Sequence, residues 1–171
     1  MLNYTLIVLT LITMNIYPQE NNITCNCFVI LIPKNEKIPI LECPNGDVIA
    51  EVINDTRNDD YVIFQLHEIK NNYAYVTGSG MRIDTVERSG WLEVKNLGIY
   101  PVDYSLPIDL YNEPSKSSGI KNSINDFEYS PLIVEKCKGQ WLFVSYKRDN
   151  QFYEGWLPPD NQCSNPYTTC N

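Results

Sequence analysis

The chain carries a single histidine, His67, in 171 residues. Nucleophilic catalysis by Ser or Cys needs a base beside the nucleophile, and only His67 is available for the part. It sits inside a strand-like run with Phe64 and Leu66, which fits a histidine on a strand face better than a catalytic one. The one hydrolase worth naming would set Cys27 or Cys43 against it. Cations are scarce too: 13 Lys and Arg stand against 21 Asp and Glu, a net charge of −8. With no run of Lys or Arg, such a surface repels phosphate backbones and excludes nucleic acid as a partner. There is no C-x-x-C pair, His67 is far from every cysteine in sequence, and Cys25-x-Cys27 is too tight for a shared tetrahedral site, which leaves zinc without a ligand set. Glycoside chemistry needs two carboxylates at a fixed spacing. Asp59, Asp60, Asp103, Asp109, Asp126, Glu128 and Glu154 fall mainly in loops and connectors that fix none, and read as solubilising acids. We therefore expect no enzyme, no cofactor and no metal.

What is present is apolar and aromatic: 43% hydrophobic residues and 12% aromatic ones, enough for a core. The length allows one medium domain or two small ones. The first seventeen residues, MLNYTLIVLTLITMNIY, hold no charged side chain. The run is short for a membrane span and suits the central region of a signal peptide. We expect residues 1–20 to be a signal and the mature chain to have no membrane span, although no basic residue precedes the run and no A-x-A site follows it. Lipidation at Cys25 is the competing reading, weakened by Thr24 before it. In an exported chain Cys25, Cys27, Cys43, Cys137, Cys163 and Cys170 are disulfide candidates, with fifteen possible pairings. Three lie in each half, so an uncrossed arrangement leaves one free per half. Cys163 and Cys170 could close locally around a Pro-Tyr turn, or Cys137 could tie the tail to the central hairpin.

From Cys27 onward, short β segments alternate with turn signals. Phe28 to Ile32 is closed by Pro33. Lys37 to Glu42 precedes the turn Pro44-Asn45-Gly46-Asp47. Val48 to Ile53 and Tyr61 to Ile69 follow, then the turn Asn71-Asn72 and the strand Tyr73 to Thr77, with Gly78 to Gly80 opening a loop. No segment keeps a helical period for more than two turns, and closely spaced strands point to an all-β sandwich or barrel. Asn96 to Pro107, with two prolines and a glycine, reads as a connector. The clearest element is the hairpin from Gly139 to Pro158, with a strand Trp141 to Tyr146, a turn Lys147 to Gln151 and an ending Gly155-Trp156-Leu157.

That hairpin has an earlier copy. Pro44 matches Pro114, each closing a short strand. Glu68 to Val76 matches Lys136 to Val144, and Gly90-Trp91-Leu92 matches Gly155-Trp156-Leu157. Proline to aromatic is 29 residues in one half and 27 in the other; aromatic to Trp is 18 and 15. Strand alternation then sorts the faces. Ala74, Val76, Leu142 and Val144 should fill a core. Tyr73, Tyr75, Trp141 and Phe143 should face away, toward the other half, the terminal segment or a ligand. Trp91 and Trp156 should pack at core or rim, with Gly90 and Gly155 allowing close approach.

The pattern of a short strand and Pro, then G-x-W-x-x-V, then G-W-L, resembles bacterial SH3-like (SH3b) domains. LYNEPSKSSG, CKGQWLFV and YEGWLPP match over about sixty residues of the second half. LECPNGDVI, IKNNYAYV and RSGWLEV match more loosely, with Tyr73 replacing the first Trp and a longer loop before Gly-Trp. The resemblance implies two tandem small β-barrels, 25–99 and 104–171, the second with a cysteine-bearing tail. It also implies an exported, non-catalytic module, secreted, periplasmic or at the cell envelope, binding a peptide or peptidoglycan. Trp141, Phe143, Tyr111, Tyr153, Tyr73 and Tyr75 are the ligand-binding candidates, since aromatics give contact area at little entropic cost. The alternative is a structural or interaction component with those faces buried between domains or against a protein partner.

Overall fold

The computed structural model describes residues 24–80, 88–102, 106–165, 167 and 170. The apolar segment read as a signal lies outside them, as do residues 81–87 of the loop before Gly90. The described residues form thirteen strands and three 3-10 turns, with no α-helix. The strands are β1 Cys27–Leu31, β2 Ile38–Leu41, β3 Val48–Val52, β4 Val62–Lys70, β5 Tyr73–Gly80, β6 Arg88–Glu93 and β7 Leu97–Pro101. They continue as β8 Ile108–Tyr111, β9 Ile120–Ile124, β10 Leu132–Lys138, β11 Trp141–Arg148, β12 Gln151–Leu157 and β13 Gln162–Cys163. The expected all-β class holds. All pairings between strands are antiparallel and join one sheet in the order β3-β2-β6-β5-β4-β1-β7-β10-β11-β12-β8-β9, with β13 added to β7. The sheet is not closed.

The turns explain the hairpins. Asn71 and Asn72 adopt φ of 50° and 66°, the two consecutive left-handed residues of a tight hairpin turn, where Asn is among the least strained choices. Asn45 (φ 61°) and Asp149 (φ 52°) serve the same end between β2 and β3 and between β11 and β12. The second hairpin is longer than its polar residues indicated: Lys147 and Arg148 remain in β11, and only Asp149-Asn150 turns. Likewise Gly78 to Gly80 continues β5 and opens no loop. A Cβ on Gly78 would lie 2.1 Å from the Phe64 ring, so the glycine makes room for a core aromatic.

The repeat seen in the sequence extends to the pairing register. Glu68 pairs with Tyr75 as Lys136 pairs with Phe143, after register shifts between Leu66 and Glu68 and between Val134 and Lys136. Val76 meets Gly90 as Val144 meets Gly155, and Trp91 meets Leu41 as Trp156 meets Tyr111. His67 therefore occupies the position of Glu135, each set at a bulge. Pro44 and Pro114 each stand three residues beyond a strand, β2 and β8. The 3-10 turns Val94–Asn96 and Pro159–Asn161 follow β6 and β12.

One strand has two roles. Ile30 and Leu31 of β1 pair with Gly98 and Leu97 of β7; Tyr100 and Pro101 of β7 pair with Cys163 and Gln162 of β13. In register, β7 is to β1 what β13 is to β7. It also pairs with β10 as β1 pairs with β4. β7 is thus the last strand of the first repeat and the first strand of the second. The connector read from Asn96 to Pro107 holds this strand, and all five of its residues are buried. Its prolines and glycine hid it, but a strand covered from both sides needs no polar alternation. Leu97 and Ile99 join one apolar core with Val29, Phe64, Val76, Leu132, Val144 and Leu157, drawn from both repeats.

Candidate functional site

Strand alternation places the aromatics as expected, with one correction. Ala74, Val76, Leu142 and Val144 are wholly buried, while Tyr73, Tyr75, Trp141 and Phe143 lie half-buried on the outer face. Trp91 and Trp156 join that outer face at the rim, and Leu92 and Leu157 beside them fill the core. The preceding glycines bring strands together: a Cβ on Gly90 would lie 2.4 Å from Ile40, and one on Gly155 2.8 Å from Leu110. Tyr153 is the correction. It pairs with Tyr146 and packs on the core, because β12 turns Tyr153, Gly155 and Leu157 to the same side. It cannot belong to an outer aromatic site with Trp141 and Phe143.

The outer aromatics form two groups. In the first repeat Tyr75 lies between His67, at 5.7 Å, and Trp91, at 5.5 Å. In the second, Phe143 meets Trp156 edge-on at 5.5 Å, and Trp141 meets Tyr111 at 5.8 Å. The ammonium groups of Lys121 and Lys136 each lie 5.3 Å from the Phe143 centroid, within range of the ring's quadrupole. These ring and cation contacts are all within one repeat.

Tyr73 stands apart, since it lines a cleft of about 670 Å³ where the repeats meet. The first repeat contributes the turns at Asn45 and Asn71-Asn72 and the segment Glu93 to Lys95; the second contributes Ile133 to Lys136 of β10. The Tyr73 hydroxyl donates to Asn45 Oδ1 at 2.9 Å, which fixes the ring against the β2–β3 turn. Lys95 pairs with Glu93, and that pairing raises the Lys95 pKa. The walls thus offer side-chain amides, one phenol and charges of both signs above the apolar Val94 and Ile133. Of the six predicted ligand-binding residues only Tyr73 reaches this cleft. In the sequence the asparagines mark turns and Lys136 a repeat boundary, and nothing there points to a shared cleft with Glu135. Asn71-Asn72 was legible as a turn, but its apposition to β10 depends on the double role of β7.

The cysteines answer the remaining chemistry. Cys25–Cys137 and Cys163–Cys170 are disulfides, with Cα atoms 5.7 Å and 5.5 Å apart. Of the two alternatives for the tail, the local closure is the one formed, and Cys137 joins Cys25 and not the tail. Cys27 and Cys43, also disulfide candidates, are free thiols. Cys25 is held from both sides: its N–H donates to the His67 carbonyl at 2.8 Å and its sulfur is bonded to Cys137. A sulfur so engaged is not open to lipidation. The buried Cys27 thiol donates to the Gly139 carbonyl at 3.4 Å, and burial pushes its pKa up to about 11, so little thiolate forms near neutrality. His67 Nε2 contacts Thr77 Oγ1 at 3.1 Å. Among the described residues no group of three or more His, Cys, Asp or Glu is placed to hold a metal, and no helix is long and apolar enough to cross a membrane.

Comparison with known protein families, with curated proteins and with solved structures found no match to this chain.

Proposed function

We propose that the chain is an exported, non-catalytic binding module of two SH3-like barrels sharing β7, and that the cleft between its repeats takes a short peptide, free or as the stem of peptidoglycan. The observation that carries this reading is the cleft itself. It sets the amides of Asn45, Asn71 and Asn72 and the Tyr73 ring opposite the Glu135-Lys136 segment. An extended peptide offers amide donors and acceptors every few ångströms, and side-chain amides beside an aromatic ring complement such a chain. Support for the SH3-like assignment comes from the short antiparallel strands of each repeat and from the G-W-L anchors that recur at the same register. The low reactivity of Cys27 and the engagement of His67 with Thr77 support a non-catalytic role.

The test is capture on isolated cell walls and on arrays of short peptides, with Tyr73→Phe and Tyr73→Ala beside the wild type. Tyr73→Ala should lower retention by about tenfold, the loss of one well-packed aromatic anchor. Tyr73→Phe, which loses only the bond to Asn45, should lower it by about threefold. Retention unchanged in Tyr73→Ala would remove the cleft from consideration.

A further inference from the structure

Because the two repeats share one pairing register, their outer faces can be compared position by position. The inner face keeps its character: Ala74 and Val76 correspond to Leu142 and Val144, Gly90 to Gly155, and Leu92 to Leu157. The outer face keeps its aromatics, with Tyr73, Tyr75 and Trp91 corresponding to Trp141, Phe143 and Trp156, and it keeps a lysine, Lys70 corresponding to Lys138, but it differs at three positions. Glu68 becomes Lys136, Leu41 becomes Tyr111, and the exposed Ile49 becomes Lys121. At these three positions the first repeat carries an acid and aliphatics, so Lys136, Tyr111 and Lys121 are not demanded by the fold.

On a chain with a net charge of −8, this face gathers Lys121, Lys136 and Lys138 around Phe143 and Trp141. Glu154 is taken by Lys121 at 2.6 Å. Among the described residues neither Lys136 nor Lys138 has an ion-pair partner. Lys138 stands beside Trp141 across the β10–β11 ladder, as Lys136 stands beside Phe143. Lys136 also lines the cleft, so the cleft and the aromatic face form one continuous surface. Glu135 lies on the cleft side of it, which directs an anionic ligand outward, toward Lys138 and Trp141.

We infer that this face binds the carboxylates of an acidic peptide whose backbone continues into the cleft. The inference rests on the cleft reading above and adds the ligand's charge to it. The ammonium groups meet the carboxylates, while the Trp141, Tyr111 and Phe143 rings cover the aliphatic stems. A basic patch on an acidic protein attracts such a peptide locally and salt weakens the attraction.

Fluorescence anisotropy of the full chain with labelled, acetylated hexaglutamate and with its neutral isostere hexaglutamine tests this. The wild type should bind hexaglutamate roughly tenfold more tightly at low salt, the effect of two exposed ion pairs. Lys136→Glu combined with Lys138→Glu should abolish that preference; both positions are exposed, so the fold is kept. Equal binding of the two peptides, or a preference that survives the double substitution, overturns the inference. So does displacement of hexaglutamate by hexametaphosphate at a far lower concentration, which would assign the face to phosphate polymers. Tyr73-dependent binding of hexaglutamine with no preference for glutamate would leave the cleft reading standing and remove this one alone.

Discussion

At the scale of single residues, the free thiol of Cys27 gives the sharpest handle on stability. It is buried between β4 and the β10–β11 turn, and its pKa is raised to about 11 from an ordinary thiol value of 9.0. Below pH 9 the thiol is protonated in both folded and unfolded chains and contributes no pH dependence. Between pH 9 and 11 the unfolded chain ionises while the folded one stays neutral, so stability falls as pH rises. The margin of the wild type over Cys27→Ala should therefore shrink by about 2–3 kcal/mol across that window, read from urea midpoints. A margin that does not change with pH would mean the thiol is not desolvated. The Tyr100 hydroxyl, pushed up to about 12 chiefly by burial, titrates in both proteins and cancels from the comparison.

At the scale of elements, the recurring device is a glycine where the β2 or β8 hairpin crosses the end of the following meander. Gly155 passes so close to β8 that an added Cβ would meet Leu110 Cβ at 2.8 Å and the Tyr111 carbonyl at 3.0 Å. Neither atom is the far end of a flexible side chain. Gly155→Ala should cost roughly 2–3 kcal/mol through the forced separation of β8 and β12, seen as a lower denaturation midpoint. An Ala at Gly139, with nothing within 4 Å but φ of 59°, should cost only about 1 kcal/mol. Equal costs at the two positions would contradict the close-approach account. These glycines were legible in the sequence because Gly-Trp-Leu occurs twice, and the inner and outer faces followed from alternation alone. Tyr153 stands three residues before Trp156, an odd spacing that puts it on the opposite face of β12. β7 was missed for a different reason: a strand covered on both sides carries no period, and Pro101 and Gly98 look like punctuation.

At the scale of the whole molecule, that strand decides how the repeats relate. Two domains on a linker would melt separately, whereas two repeats sharing β7 have one core and cannot be parted without removing a strand from one of them. Two further ties cross between the repeats. The Cys25–Cys137 disulfide joins the chain's start to the second repeat's hairpin, and the tail returns to place the Tyr167 hydroxyl 3.0 Å from Asp59 Oδ1, with its ring against Tyr61. Gly98 lies where the strain of one added methyl would be shared. A Cβ there would come within 2.7 Å of Pro131, which leads into β10, and 3.1 Å of Ile32, which leaves β1. Native-state amide hydrogen exchange of the wild type and Gly98→Ala, followed in β5 of the first repeat and β11 of the second, tests the shared strand most directly. The substitution should lower protection of both strands by the same free energy, roughly 1–3 kcal/mol. Loss confined to β5 or to β11 would show that the repeats open independently and that β7 belongs to only one of them.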